Sequence, residues 1–336
     1  MKAVGYTHSH PIEHPEALVD RDVAHPEIGP HDIRVEVRAI SVNPVDYKVR
    51  KRAEPPAGGF KILGYDAAGV VTEVGREVTR FEVGAEVFYA GDIRRQGTNA
   101  EFHAVDARIV GHKPRSLDFG AAAALPLTSI TAWELLFDRL GVVRDGGTGS
   151  SLLIVGGAGG VGSILIQLAR RLTGLTVIAT ASRPETQSWC RELGAHHVVD
   201  HAADLAAGVA ALAAPPVMLI AGLTHTDRHF KALVDILAPQ GRIGLIDDPE
   251  PIDVRLLKQK SASLHWELMF TRSMFGTPDM AAQGALLDEV AALVDAGTLR
   301  TTVAEHFGTI SAANLKRAHA LLESGRSRGK IVLEGF

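Results

Sequence analysis

A chain of 336 residues with a formal net charge of −4 is too long for one ordinary core, so about two domains are expected. The acidic balance argues against nucleic-acid or anionic-membrane partners, which need a basic face; no apolar run approaches the ~18 residues of a membrane span. The first residues, MKAVGYTHSH, lack a signal-peptide core, and a single cysteine, Cys190, excludes an internal disulfide and any multi-cysteine zinc site, so the cytosol is the expected compartment.

Up to about residue 125 the chain reads as short strands between turns: MKAVGYT, IRVEVRAISV, AAGVVTEVG, AEVFYAG and AEFHAVDA. In IRVEVRA, Ile33, Val35 and Val37 alternate with Arg34, Glu36 and Arg38, the period of a half-buried strand. Pro- and Gly-rich punctuation separates these pieces, which predicts a mostly antiparallel β unit. The stretch SVNPVDYKVR that follows the second strand reads as a turn, since Asn-Pro favours turn initiation and Pro cannot continue a central strand.

From about residue 129 strands and helices alternate. LLIV (152–155), LTVIAT (175–180), VMLIAG (217–222) and RIGLI (242–246) are continuous apolar strands, with the helical segments SILIQLARRL, RPETQSWCREL and DRHFKALVDILA between them. Such βα repeats call for a doubly wound parallel sheet covered on both faces. Pro184 suits a first helical turn and Gly194 a helix end. The Ala-rich piece 202–214 reads as a helix. SLHWELMF begins as one more strand, two amphipathic helices are expected near 279–296 and 311–324, and KIVLEGF forms a terminal strand.

In LLIVGGAGGVGSILIQLAR, Gly157, Gly159 and Gly162 have GxGxxG spacing directly after a strand and opening a helix, the context that a dinucleotide-binding loop requires. Gly160 and Val161 complete the turn, whose amides would face a pyrophosphate. An NAD site usually carries an acidic residue about 20 positions on. Here Ser182 and Arg183 stand at that place, a hydroxyl and a guanidinium suited to a 2′-phosphate; the alternative, compatible with it, is that Ser182 caps the next helix and Arg183 is solvated. His201 is a further residue that could flank the phosphate. The expected cofactor is NADP(H).

Together with LPLTSITAW, NPVDYKVR, ILGYDAAGVV and the ending RGKIVLEGF, this order of motifs resembles the medium-chain dehydrogenase/reductase superfamily over essentially the whole length. Within it the chain resembles the quinone oxidoreductase branch and, more narrowly, its zinc-type alcohol dehydrogenase-like proteins. The resemblance implies a GroES-like catalytic domain over 1–127, completed by 270–336, and a Rossmann domain over 128–269. It also implies a homodimer. Thr131 should lie against the nicotinamide, Thr224 and His225 near the cofactor ribose, and Lys330 should reach the phosphates.

At the positions where zinc-dependent members carry their ligands, this chain has Asn43, Tyr65 and Leu127. An amide, a phenol and an aliphatic chain do not make a catalytic zinc site, so no zinc is expected. The histidines His8, His10, His14, His196 and His197 read as surface imidazoles. Without a Lewis acid, reduction of a quinone or an α,β-unsaturated carbonyl is the expected reaction, because the conjugated system itself accepts hydride and spreads charge onto oxygen. Tyr65 and Tyr47 could offer phenolic donors to that oxygen and Asn43 an amide donor. SVNPVDYKVR then becomes a wall of the hydride-transfer cleft. The competing readings are an alcohol or aldehyde dehydrogenase and a non-catalytic NADPH-binding protein.

Overall fold

The computed structural model describes all 336 residues, which form two compact units: Met1–Ile130 with Phe270–Phe336, and Thr131–Met269.

The first unit is built on a seven-stranded sheet. Its path runs Val303–His306, Lys330–Glu334, Asp32–Val42, Ala67–Val74, Glu86–Tyr89 and Val110–His112, with Phe102–Asp106 also paired to Asp32–Val42. All pairings are antiparallel except that of Val303–His306 with Lys330–Glu334. The alternation in Asp32–Val42 aims Ile33, Val35 and Val37 into the core, each at most 4% exposed, where they pack with Val71, Val87, Val105 and Ile331. A smaller sheet joins Lys2–Tyr6 to Val19–Asp22 and Lys61–Ile62.

The stretch after Val42 is not a turn. Asn43 is extended and caps a nine-residue helix, Pro44–Arg52, with Pro44 in its first turn. A fixed φ and a missing N–H suit that position, so Asn-Pro here starts a helix. Pairing of Ile331 with Val42 brings the last strand of the chain beside this cap.

The second unit is a six-stranded, wholly parallel sheet in the order His197–Val199, Thr176–Thr180, Ser151–Val155, Val217–Gly222, Arg242–Leu245, Ser263–Trp266. Strand order reverses between Ser151–Val155 and Val217–Gly222, and α/β sheets bind ligands beyond the strand ends at such a switch point. Continuous burial of strands such as Ser151–Val155 follows from helices covering both faces. The Ala-rich segment is helical only over Leu205–Ala210.

One helical stretch, Phe119–Arg139, is long and apolar enough by length and composition to cross a membrane, contrary to the sequence reading; 83% of its most apolar window is buried inside the protein. It is broken after Ala123, restarts at Pro126 and ends in a π-helical turn, Glu134–Arg139.

Candidate active site

In the first unit the residues at the zinc-ligand positions gather around a buried polar cluster. Asn43 is 1% exposed and Asp46, Tyr65 and Asp66 are fully buried. Asp46, in the first turn of Pro44–Arg52, accepts the backbone N–H of Asn43 (2.6 Å) and that of Gly64 (3.1 Å), the reverse half of a capping box. Gly64 has φ +104°, and an added Cβ would overlap Asn99 Oδ1 and Thr98 Oγ1, so the chain needs glycine there. Asp66 Oδ2 accepts from Asn43 Nδ2 (2.8 Å) and Lys330 Nζ (2.9 Å), and Asp66 Oδ1 from the Leu127 amide (2.7 Å). Leu127 thus contributes its backbone N–H, at the start of the helix Pro126–Trp133, where a carboxylate is favoured.

Burial pushes the Asp46 carboxyl up to about 7, against the downward pull of the Asn43 amide and Lys330. Burial also raises the Asp66 carboxyl, opposed first by Lys330. These carboxylates persist inside the protein because each accepts several hydrogen bonds and one cation is present.

Two site expectations change here. Lys330 is 3% exposed and its ammonium is held by Val42 O (3.0 Å), Asn43 Oδ1 (2.5 Å) and Asp66. It is a buried partner of the carboxylate and does not extend toward a phosphate. Asn43 directs its amide N–H groups at Asp66 and at Ser41 O (3.4 Å), so they serve the cluster and not an incoming oxygen. Tyr47 is half-buried on Pro44–Arg52, with the Lys51 ammonium over its ring.

Tyr65 differs from its neighbours. Its ring meets Phe270 edge-on (5.5 Å, 74°), yet its buried hydroxyl has no hydrogen-bond partner among the protein's own groups. Burial, and then Asp46, Tyr6 and Asp92, push the phenol well above its usual range, so it remains a donor at every working pH.

The zinc-ligand positions therefore hold an amide whose oxygen already accepts from an ammonium, a phenol, and an aliphatic side chain. Zinc wants thiolate, imidazole or carboxylate, and this donor set does not fit it. Elsewhere in the unit, ligand atoms of His10, His14 and Glu16 lie within 4.8 Å of one another at the surface, and Glu16 N donates to His14 Nδ1 (3.2 Å).

In the second unit the glycine loop opens the helix Gly160–Leu172, with Gly159 as its cap. A Cβ at Gly157 would meet Ala179 Cβ at 2.8 Å, and one at Gly162 would meet Gly157 O at 2.6 Å. Packing alone thus requires those two glycines. A Cβ at Gly159 would meet only Gly156 O, at 3.5 Å, so the protein itself does not require glycine there. Its lack of a side chain matters for a ligand that approaches the backbone closely. Gly160 and Val161 are half-buried in the first helical turn, where backbone N–H groups lack intrahelical partners.

Thr180 Oγ1 accepts from Gly156 N (3.0 Å) and bonds His201 Nδ1 (3.0 Å); burial holds the imidazole of His201 below its usual range. Ser182 is exposed. Arg183, not Ser182, caps the helix Pro184–Glu192, its Nε 3.0 Å from Glu185. Thr224 packs over Gly156, His225 takes a left-handed conformation (φ 51°), and Thr226 is fixed to Asp247 (2.7 Å). Thr131 is 5% exposed on Pro126–Trp133. The loop fits a dinucleotide pyrophosphate; the two residues directly after Thr176–Thr180, Ala181 and Ser182, carry no carboxylate, and the Arg183 guanidinium beyond them is paired with Glu185.

Residues 29–128 match the alcohol dehydrogenase GroES-like domain, and 193–333 match the zinc-binding dehydrogenase family. The chain is 59% identical to a Rhizobium etli CFN 42 protein bearing the provisional name of zinc-dependent alcohol dehydrogenase, covering 100% of this chain and 98% of that one with a TM-score of 0.96. It is 38% identical, over 99% of both chains, to the zinc-type alcohol dehydrogenase-like protein of Staphylococcus aureus (strain MSSA476). The Coxiella burnetii quinone oxidoreductase is 29% identical over 100% of this chain and 99% of its own, with a TM-score of 0.81. A mycobacterial protein solved with NADPH, Rv1454c, is 27% identical over 99% and 100%, with a TM-score of 0.85. The fold and site define an oxidoreductase built from a GroES-like unit and a dinucleotide-binding unit. The chain belongs to the medium-chain dehydrogenase/reductase superfamily, among its zinc-type alcohol dehydrogenase-like members.

Proposed function

We propose that this protein is an NADPH-dependent, zinc-independent oxidoreductase that reduces a quinone or an α,β-unsaturated carbonyl. The observation that carries the reading is the buried, unpartnered hydroxyl of Tyr65. A buried donor without an acceptor costs about 1–3 kcal/mol, a cost that an oxygen of the substrate would remove. The likeness to a quinone oxidoreductase and to a protein solved with NADPH supports the same conclusion.

NADPH supplies, when bound, a hydride from its nicotinamide ring. The amides around Gly159, Gly160 and Val161 take its pyrophosphate, while Ser182 and Arg183, flanked by His201, take the 2′-phosphate; Thr131, Thr224 and His225 are assigned to its nicotinamide ribose end. Tyr65 donates a hydrogen bond to the carbonyl oxygen as negative charge develops there. Asn43, Asp46, Asp66 and Lys330 hold the segment that carries Tyr65, and solvent delivers the final proton. An alcohol dehydrogenase reading would need a Lewis acid that Asn43, Tyr65 and Leu127 are poorly suited to bind.

The test is a screen of NADPH and NADH oxidation with quinones, 2-alkenals and simple aldehydes. Turnover with the first two classes and a preference for NADPH are expected. Tight NADPH binding with no turnover on any acceptor would favour the non-catalytic alternative. We also propose a homodimer through the edge strand Ser263–Trp266, which is paired on one side only and followed by exposed Leu268; Trp266 itself is 54% exposed. Light scattering should give twice the chain mass, and Trp266→Glu should halve it.

A further inference from the structure

Lys330 is the first residue of the strand Lys330–Glu334, and its ammonium meets three oxygens: the carbonyl of Val42, Oδ1 of Asn43 and Oδ2 of Asp66, at 3.0, 2.5 and 2.9 Å. A lysine ammonium has three hydrogens to donate, so this set uses all of them. A cradle of one carboxylate, one amide and one carbonyl oxygen is the kind that takes a hard cation. Here the chain fills it from within, and the strand pairing of Ile331 with Val42 leaves the lysine stem little freedom to withdraw.

The same contacts set the amide of Asn43. With Oδ1 facing the ammonium, its Nδ2 faces Asp66 (2.8 Å); the reversed amide would set N–H against N–H at Lys330. Asn43 stands where zinc-dependent relatives carry a ligand, and its oxygen is committed to the ammonium. We propose that the Lys330 ammonium is the resident cation of this site, that it orients Asn43 and neutralises Asp66, and that it denies the position to a divalent metal. Lys330 is thus a positioning residue, and the family's zinc label does not carry over because the chain supplies its own positive charge. This inference does not depend on which substrate is reduced, since its tests use no substrate.

The first test is a double-mutant cycle in denaturant. Lys330→Met leaves a buried carboxylate without its cation and should raise the unfolding equilibrium constant by about a hundredfold or more. Asp66→Asn alone should also destabilise, while the double variant should recover most of the loss, giving a coupling above about tenfold. Simple additivity of the two losses would overturn the proposal. The second test restores ligand types with Asn43→Cys, Tyr65→His and Leu127→Cys, with and without Lys330→Met, and measures zinc affinity by competition with a chromophoric chelator. Zinc should bind at least about a hundredfold tighter once Lys330 is also replaced; equal affinity with Lys330 retained would overturn the proposal. Should the fourfold variant fail to fold, the cycle in the otherwise native chain decides.

Discussion

Replacing Tyr65 by Phe separates a donor from a space-filler, because both roles leave stability unchanged or higher and only the donor role predicts a loss of turnover. The substitution removes one oxygen and keeps the edge-on contact with Phe270. The hydroxyl is buried and has no partner, so its loss removes a desolvation cost of about 1–3 kcal/mol. The free protein should therefore be as stable as the native one or more so. In the reaction, the lost group is a donor to developing negative charge, a loss that typically lowers kcat by about 10²–10³. Chemical denaturation reads the first quantity, and steady-state oxidation of NADPH with a saturating quinone reads the second. Turnover within about twofold of native (~0.4 kcal/mol) would refute the donor role. A fall in stability would instead refute the claim that the hydroxyl lacks a partner in the free protein.

Other expectations concern the cofactor, the backbone and pH. Arg183→Ala should weaken NADPH binding by about ten- to a hundredfold, as expected for loss of a charge-assisted bond, and leave NADH binding unchanged; equal effects on both, by fluorescence titration, would contradict the assignment. Gly64→Ala should cost about 3 kcal/mol, from a strained φ and overlap with Asn99 and Thr98, measured by denaturant titration. His319 is fully buried with both ring nitrogens unpartnered, and burial, then Arg50, bring its imidazole down from 6.5 to about 3. The unfolded chain therefore takes up a proton below pH 6.5 that the folded chain refuses. The stability this contributes is complete above that value and lost as pH falls toward 3. His319→Leu should remove the dependence and raise stability at pH 5 by about 2 kcal/mol relative to its effect at pH 8; an equal effect at both values would contradict it.

Much of this arrangement is legible in the sequence where the signal is local. The glycine loop declares itself through GxGxxG between an apolar strand and an apolar helix, and alternation in Ile33–Val37 sets the buried face of its strand. Asn43-Pro44 reads as a turn in the sequence yet starts a helix, because the same dipeptide that breaks a strand also supplies a helix cap and its first residue. The segment 119–133 gave no helical period, since helices buried on all sides carry apolar residues all round. The role of Lys330 was illegible for a different reason. Its partner Asp66 lies 264 positions away, and only strand pairing between the chain's last strand and Asp32–Val42 brings them together. Asp46 and Asp66 were likewise visible as residues of a motif but not as one buried cluster.

The most direct test of the account is NADPH oxidation by protein treated with a strong chelator, assayed with a quinone while bound zinc is measured on the same sample. Full turnover with substoichiometric zinc, and no gain on adding the metal, is the result expected of a site whose cation is Lys330. Loss of turnover on chelation, restored by stoichiometric zinc, would contradict it.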